Sequence, residues 1–185
     1  GNFAVYLRAW QRFADRRGAV GVCPSFGFGR WDRDGGAEVV ERARRFAIEE
    51  LGADPERVWL AGLSNGGIGV TRAARRTPEA YRGLVYLSGV VEGSEWIAPD
   101  FVDRWGARPI LALHGVRDER VPFAPTEAAI RTARARGVRA ELRAHPEEDH
   151  FLFFSSLDAV LGEIEAAWDE EDARVPAAIG APRGH

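Results

Sequence analysis

The chain has 185 residues with 45% hydrophobic and 29% charged residues, enough for one domain with its own core. With a net charge of −3 and no block of one sign, nothing points to nucleic acid or an anionic membrane surface as a partner, and no apolar run nears the ~20 residues of a membrane helix. The single cysteine, Cys23, excludes an internal disulfide or a cysteine-rich metal site and fits a reducing compartment.

Taken in chain order, Phe3 to Gly18 reads as an amphipathic helix stopped by glycine. "AVGVCP" reads as a short buried strand, Ala19 to Cys23, ended by Pro24. "SFGFGRWDRDGG" is a glycine-rich loop, and residues 37–51 return to helical spacing. "VWLAG" is a strand, "GGIGVTRAARR" a helix, and "GLVYLSG" and "PILALHG" two further strands. Residues 90–108 between them are irregular, a short helix or a cap over a site. "APTEAAIRTARARG" is a helix with Pro125 near its start. "VRAELRAH" alternates as a strand with one wetter face. Leu157, Leu161, Ile164 and Trp168 place a last helix at about Ser155 to Asp169. One domain over residues 1–170 is expected, with a loose tail over 171–185.

Strands alternating with helices imply a parallel sheet covered on both faces, an α/β three-layer sandwich. In such sheets the chemistry sits in loops at the carboxyl ends of the strands. After "VWLAG" comes Ser64 in "GLSNG", which fits G-x-S-x-G, a sharp turn that lifts a hydroxyl above the sheet. Gly62 and Gly66 are expected to relieve crowding across the turn, and Gly67 and Gly69 to let the helix pack closely. The Asn65 amide, at a helix start, is placed for an oxyanion. After "PILALHG" comes Asp118, an orienting acid or a turn aspartate capping local amides. His114, at the strand's end, reads as structural. After "VRAELRAH" comes His150, a general base or a solvent-side histidine, with His145 as an alternative.

The order Ser, Asp, His, each after a strand, points to a nucleophilic triad. "VWLAGLSNGG", "LALHGVRDERVPF" and "EEDHFLFF" resemble the nucleophile elbow, acid loop and histidine loop of the α/β-hydrolase superfamily. Within it, they are most similar to small serine esterases of the carboxylesterase/phospholipase and polyhydroxybutyrate depolymerase/feruloyl esterase branches. The resemblance implies an α/β-hydrolase core, a mostly parallel sheet with the equivalents of strands four to eight, and Ser64, Asp118 and His150 as the triad. It implies ester hydrolysis through an acyl-enzyme, a small-molecule ester substrate, and no metal or cofactor. Peptide or thioester cleavage on the same fold and a non-catalytic hydrolase domain are the alternatives. A nucleotide-binding reading of "GFGRWD" fails because the third glycine of the fingerprint is missing. The family's first three strands, and the loop holding the second oxyanion donor, have no counterpart. With no methionine in the sequence, an N-terminally incomplete hydrolase whose second donor lies upstream of Gly1 is the expectation. A shortened sheet is the other option. Phe26, Phe28, Trp31, Trp96 and Trp105 are candidates for shaping a substrate pocket, or else ordinary packing.

Overall fold

The computed structural model describes residues 3–27 and 29–174. Four strands, β1 (Trp59–Leu63), β2 (Gly83–Leu87), β3 (Ile110–Gly115) and β4 (Ala140–His145), form one parallel sheet in that spatial order. Among the described residues, eight α-helices surround it: α1 (Phe3–Arg17), α2 (Gly36–Glu49), α3 (Gly66–Arg76), α4 (Gly93–Trp96), α5 (Pro99–Trp105), α6 (Phe123–Ala135), α7 (Leu152–Ser155) and α8 (Leu157–Arg174).

The layering follows from the two-residue period of a strand. Leu84 and Tyr86 of β2, with Ile110 and Ala112 of β3, point into a core that includes residues of α2 to α6. Val85 and Leu87, with Leu111 and Leu113, point the other way into a core shared with α1, α7 and α8. Every residue of β2 and β3 is buried, as a two-sided parallel sheet requires. On the second face an aromatic cluster carries the contact. Trp10 stacks on Phe153 with centroids 5.6 Å apart, and Phe13 meets Trp168 edge-on at 5.0 Å. Ion pairs Arg12–Asp158, Arg16–Glu165 and Arg17–Asp169 align α1 with α8. Exposed pairs of this kind add little energy, so the rings hold the helix and the charges set its register.

Two expectations change, and a third point left open is decided. Residues 19–23 are not a strand: the segment pairs with no ladder, and the bond from the Ala19 amide to the Ala14 carbonyl belongs to the end of α1. The physical reason is the lack of a neighbour. A strand exists where another strand accepts its ladder, and a cavity of about 870 Å³ separates this segment from the outer edge of β1. The sheet therefore has four strands among the described residues, not five. Second, α8 continues to Arg174. Buried Glu171 pairs with Arg139 and lies 3.5 Å from Arg82, which ties the helix to the sheet beyond the point where its apolar spacing ends. Residues 175–185 lie outside the described residues. Third, residues 90–108 form α4 and α5, and their tryptophans face the core. Trp96 donates to the Tyr86 hydroxyl at 3.1 Å, and Trp105 stacks on Phe101.

Candidate active site

Ser64 follows β1 directly and has a positive φ of 53°. For a serine this left-handed conformation is uncommon and costly unless the surroundings enforce it. The enforcement is visible in the backbone. The Ser64 amide donates to the Leu87 carbonyl at 3.1 Å, and its carbonyl accepts from the amides of Val90 and Gly67, both at 3.0 Å. A β-carbon at Gly62 would lie 2.6 Å from the Gly66 backbone, and one at Gly67 would lie 2.4 Å from the Val90 carbonyl oxygen. So Gly62 permits the turn and Gly67 permits the close approach of α3 to the loop after β2. Gly66 itself has open space where its β-carbon would be; the crowding is one-sided. Gly69 packs against the Trp31 ring, not against a strand. Asn65 heads α3 in helical conformation, without a side-chain cap.

Asp118 lies in the turn after β3 and is buried. Its Oδ1 accepts from the amides of Arg120 at 2.9 Å and Val121 at 2.8 Å. Its Oδ2 lies 2.8 Å from Nδ1 of His150, which is 32 residues further along the chain. A carboxylate only accepts, so Nδ1–H of His150 donates and Nε2 is the nitrogen left for proton transfer. Burial pushes the Asp118 carboxyl up, but the hydrogen bonds from Val121, His150 and Arg120 outweigh it and hold the group below its ordinary value.

The two loops meet because of Gly115, a residue that sequence reasoning passed over. A β-carbon there would stand 2.4 Å from the Glu148 carbonyl oxygen and 2.5 Å from that of Asp149. The Val116 amide donates to the His145 carbonyl and the Arg117 amide to the Glu148 carbonyl, both at 3.0 Å. The signal was present as the glycine of "LALHG", but its partner lies thirty residues away and cannot be read locally.

Ser64, Asn65 and His150 line the same 870 Å³ cavity. Of the candidate pocket residues, Phe26 and Trp31 line it as well, with ring centroids 5.7 Å apart. Trp96 and Trp105 do not: both are fully buried in the core. Phe28 lies outside the described residues. Phe151, Phe154 and Arg120 line the cavity beside His150, and the Arg120 guanidinium stands 5.0 Å over the Phe151 ring. Their place follows from the acid and histidine loops meeting, which no local pattern announces. Cys23 also lines the cavity, half-buried, and burial pushes its thiol up, away from the reactive thiolate. His145 stands apart at the end of β4, 3.4 Å from Glu163.

This arrangement, a strained serine at a strand-turn-helix junction with an Asp–His pair from the loops after β3 and β4, defines a class. The chain has the α/β-hydrolase type of fold and is similar to carboxylesterases that share it. The family model that matches, over residues 99–171, is that of the prolyl oligopeptidase family. Carboxylesterase SOBER1 of Arabidopsis thaliana is 31% identical over 117 residues, which are 62% of this chain and 51% of that protein. Its crystal structure superposes with a TM-score of 0.57 at 28% identity, covering 74% of this chain and 64% of that one. The crystal structure of esterase PE8 gives the same TM-score, 0.57, at 20% identity over 71% of this chain and 60% of the other, a likeness of fold. The chain thus spans about half the length of the carboxylesterase it matches.

Proposed function

We propose that the chain carries the catalytic residues of a serine hydrolase that cleaves carboxylic esters through an acyl-enzyme. Ser64 Oγ attacks the ester carbonyl. His150 Nε2 takes the hydroxyl proton and returns it to the leaving alcohol, and a water then repeats the cycle in reverse roles to release the acid. Asp118 fixes the His150 tautomer and stabilises the imidazolium as it forms. The Asn65 amide, at the positive end of α3, donates to the developing oxyanion. The observation that carries this reading is the 2.8 Å contact between His150 Nδ1 and Asp118 Oδ2, on loops that border the cavity holding Ser64. Similarity to a carboxylesterase supports the ester as substrate. The apolar walls, with Phe26, Trp31, Phe151 and Phe154, suit an aromatic or aliphatic acyl group.

A fluorophosphonate probe tests the reading. Covalent label on Ser64, lost in Ser64→Ala, is the expected result; an unlabelled but folded wild-type protein refutes it. A second reading, peptide cleavage, is favoured by the match to the prolyl oligopeptidase family. A panel of p-nitrophenyl esters against peptide p-nitroanilides decides between the two leaving groups.

A further inference from the structure

A single carboxylate stands between two imidazoles. Asp118 Oδ2 lies 2.8 Å from His150 Nδ1 and 3.4 Å from His114 Nε2. The two rings have different surroundings. The His114 side chain is 1% exposed, whereas that of His150 is 12% exposed and borders the cavity. His114 Nε2 is also 2.8 Å from the Val121 carbonyl oxygen. A carbonyl only accepts, so the hydrogen-bond network assigns the proton of His114 to Nε2. The acid loop is therefore closed twice. The Arg120 and Val121 amides hold Asp118 Oδ1, and the Val121 carbonyl is tied back to the end of β3 by His114. Phe123, at the start of α6, meets the His114 ring edge-on at 5.9 Å and fixes its plane.

We propose that His114 is a positioning residue: its Nε2–H anchors the Val121 carbonyl and so presents Asp118 Oδ2 to His150. The inference rests on reading Asp118 and His150 as the working acid–base pair. The charged and titratable groups facing His114 are Asp118 and His150. Burial pushes the His114 imidazole below its ordinary value, against the opposing pull of the Val121 carbonyl and the Asp118 charge. Held neutral, His114 leaves the carboxylate's charge to His150. A second imidazolium at that distance would compete for Oδ2 and oppose the charge that His150 acquires in turnover. A ring kept only for packing would serve equally well as phenylalanine; a donor would not.

That contrast sets the experiment. His114→Phe keeps the ring and removes the donor, and His114→Gln restores an N–H of similar reach. In ¹⁵N-histidine NMR, the wild-type His114 is expected to be neutral, with its proton on Nε2, at pH 7. A downfield His150 Nδ1 proton is expected in the wild type and in His114→Gln, and is lost in His114→Phe. With an ester substrate, kcat in His114→Phe falls on the order of 10²-fold with KM little changed, as misplacement of a catalytic group does, and His114→Gln recovers most of it. A His114→Phe protein with the His150 signal and kcat unchanged overturns the proposal. So does a wild-type His114 that is protonated, or protonated on Nδ1, at pH 7, a result that needs no variant to fold. A wild type without turnover, whose His150 signal is nevertheless lost in His114→Phe, refutes the hydrolase reading and supports the positioning role.

Discussion

The two flanks of the sheet differ in how completely they are built. On the β3 side all six strand residues are buried, both faces are packed, and the Asp118–His150 pair rests on loops tied to each other by backbone bonds. On the β1 side the central Ala61 is exposed, Leu60 and Leu63 are half-buried, and the outer edge faces the cavity opposite residues 19–25. The candidate nucleophile thus stands on the open edge strand, while its proposed acid follows the buried inner strand β3 and its proposed base follows the second edge strand, β4, of which only Ala140 is buried. Orienting a proton acceptor needs rigidity, and the dense packing around β3 supplies it. The outer edge of β1 is where the resemblance to α/β-hydrolases implies the family's third strand, which has no counterpart among the described residues.

The largest effect expected along this divide is chemical. Asp118→Asn removes the orienting charge from the closed flank and is expected to lower kcat/KM by about four orders of magnitude, with the far-UV spectrum preserved; a loss under tenfold would break the assignment. Next comes packing. Leu113→Ala, in the fully buried row of β3, is expected to cost about 2–5 kcal/mol in urea unfolding. Leu60→Ala, which borders the cavity, is expected to cost about 1 kcal/mol. Equal costs would show that the two flanks are equally packed.

A finer comparison uses two glycines. Gly115→Ala places a β-carbon against the carbonyls of Glu148 and Asp149. It is expected to destabilise by about 1–3 kcal/mol and to lower kcat, because the histidine loop must retreat from Asp118. Gly66→Ala meets open space in a helical residue. It is expected to leave stability within about 0.5 kcal/mol of wild type or slightly above it. Differential scanning calorimetry reads both.

The smallest effect is in pH. The folded state holds the His114 imidazole below its ordinary value, so the unfolded chain takes up that proton first. Its contribution to stability is present above about pH 6.5 and is lost progressively as pH falls toward the folded value. His114→Phe is expected to flatten the stability curve in that window. The Asp118 carboxyl, depressed in the fold, acts in a separate window. Its contribution is present above about pH 3.9 and is lost as pH falls through its folded value.

Most elements were legible because their signals are local. Helical spacing marked α1, α2, α3 and α6, with a glycine stop after α1, α2 and α6, and near-continuous apolar runs marked β1, β2 and β3. The strand expected at residues 19–23 was misread because apolar composition reports a wish for burial, whereas a strand also needs a ladder partner. The sequence left Trp96 and Trp105 open between pocket lining and ordinary packing for a related reason. A tryptophan in an irregular segment looks available to a pocket until its indole finds a partner, here Tyr86 and the Arg108 carbonyl.

The sequence by itself determined the α/β class, the strained serine turn and the order of Ser64, Asp118 and His150, because periodicity, glycine spacing and loop position are properties of neighbouring residues. Tertiary structure alone decided that, among the described residues, β1 is an edge bordered by a cavity, that Gly115 lets two distant loops touch, and that His114 holds the acid loop while Asp118 meets His150. Those are contacts between segments far apart in the chain, and they exist only after the sheet has brought the ends of β1, β3 and β4 to one rim.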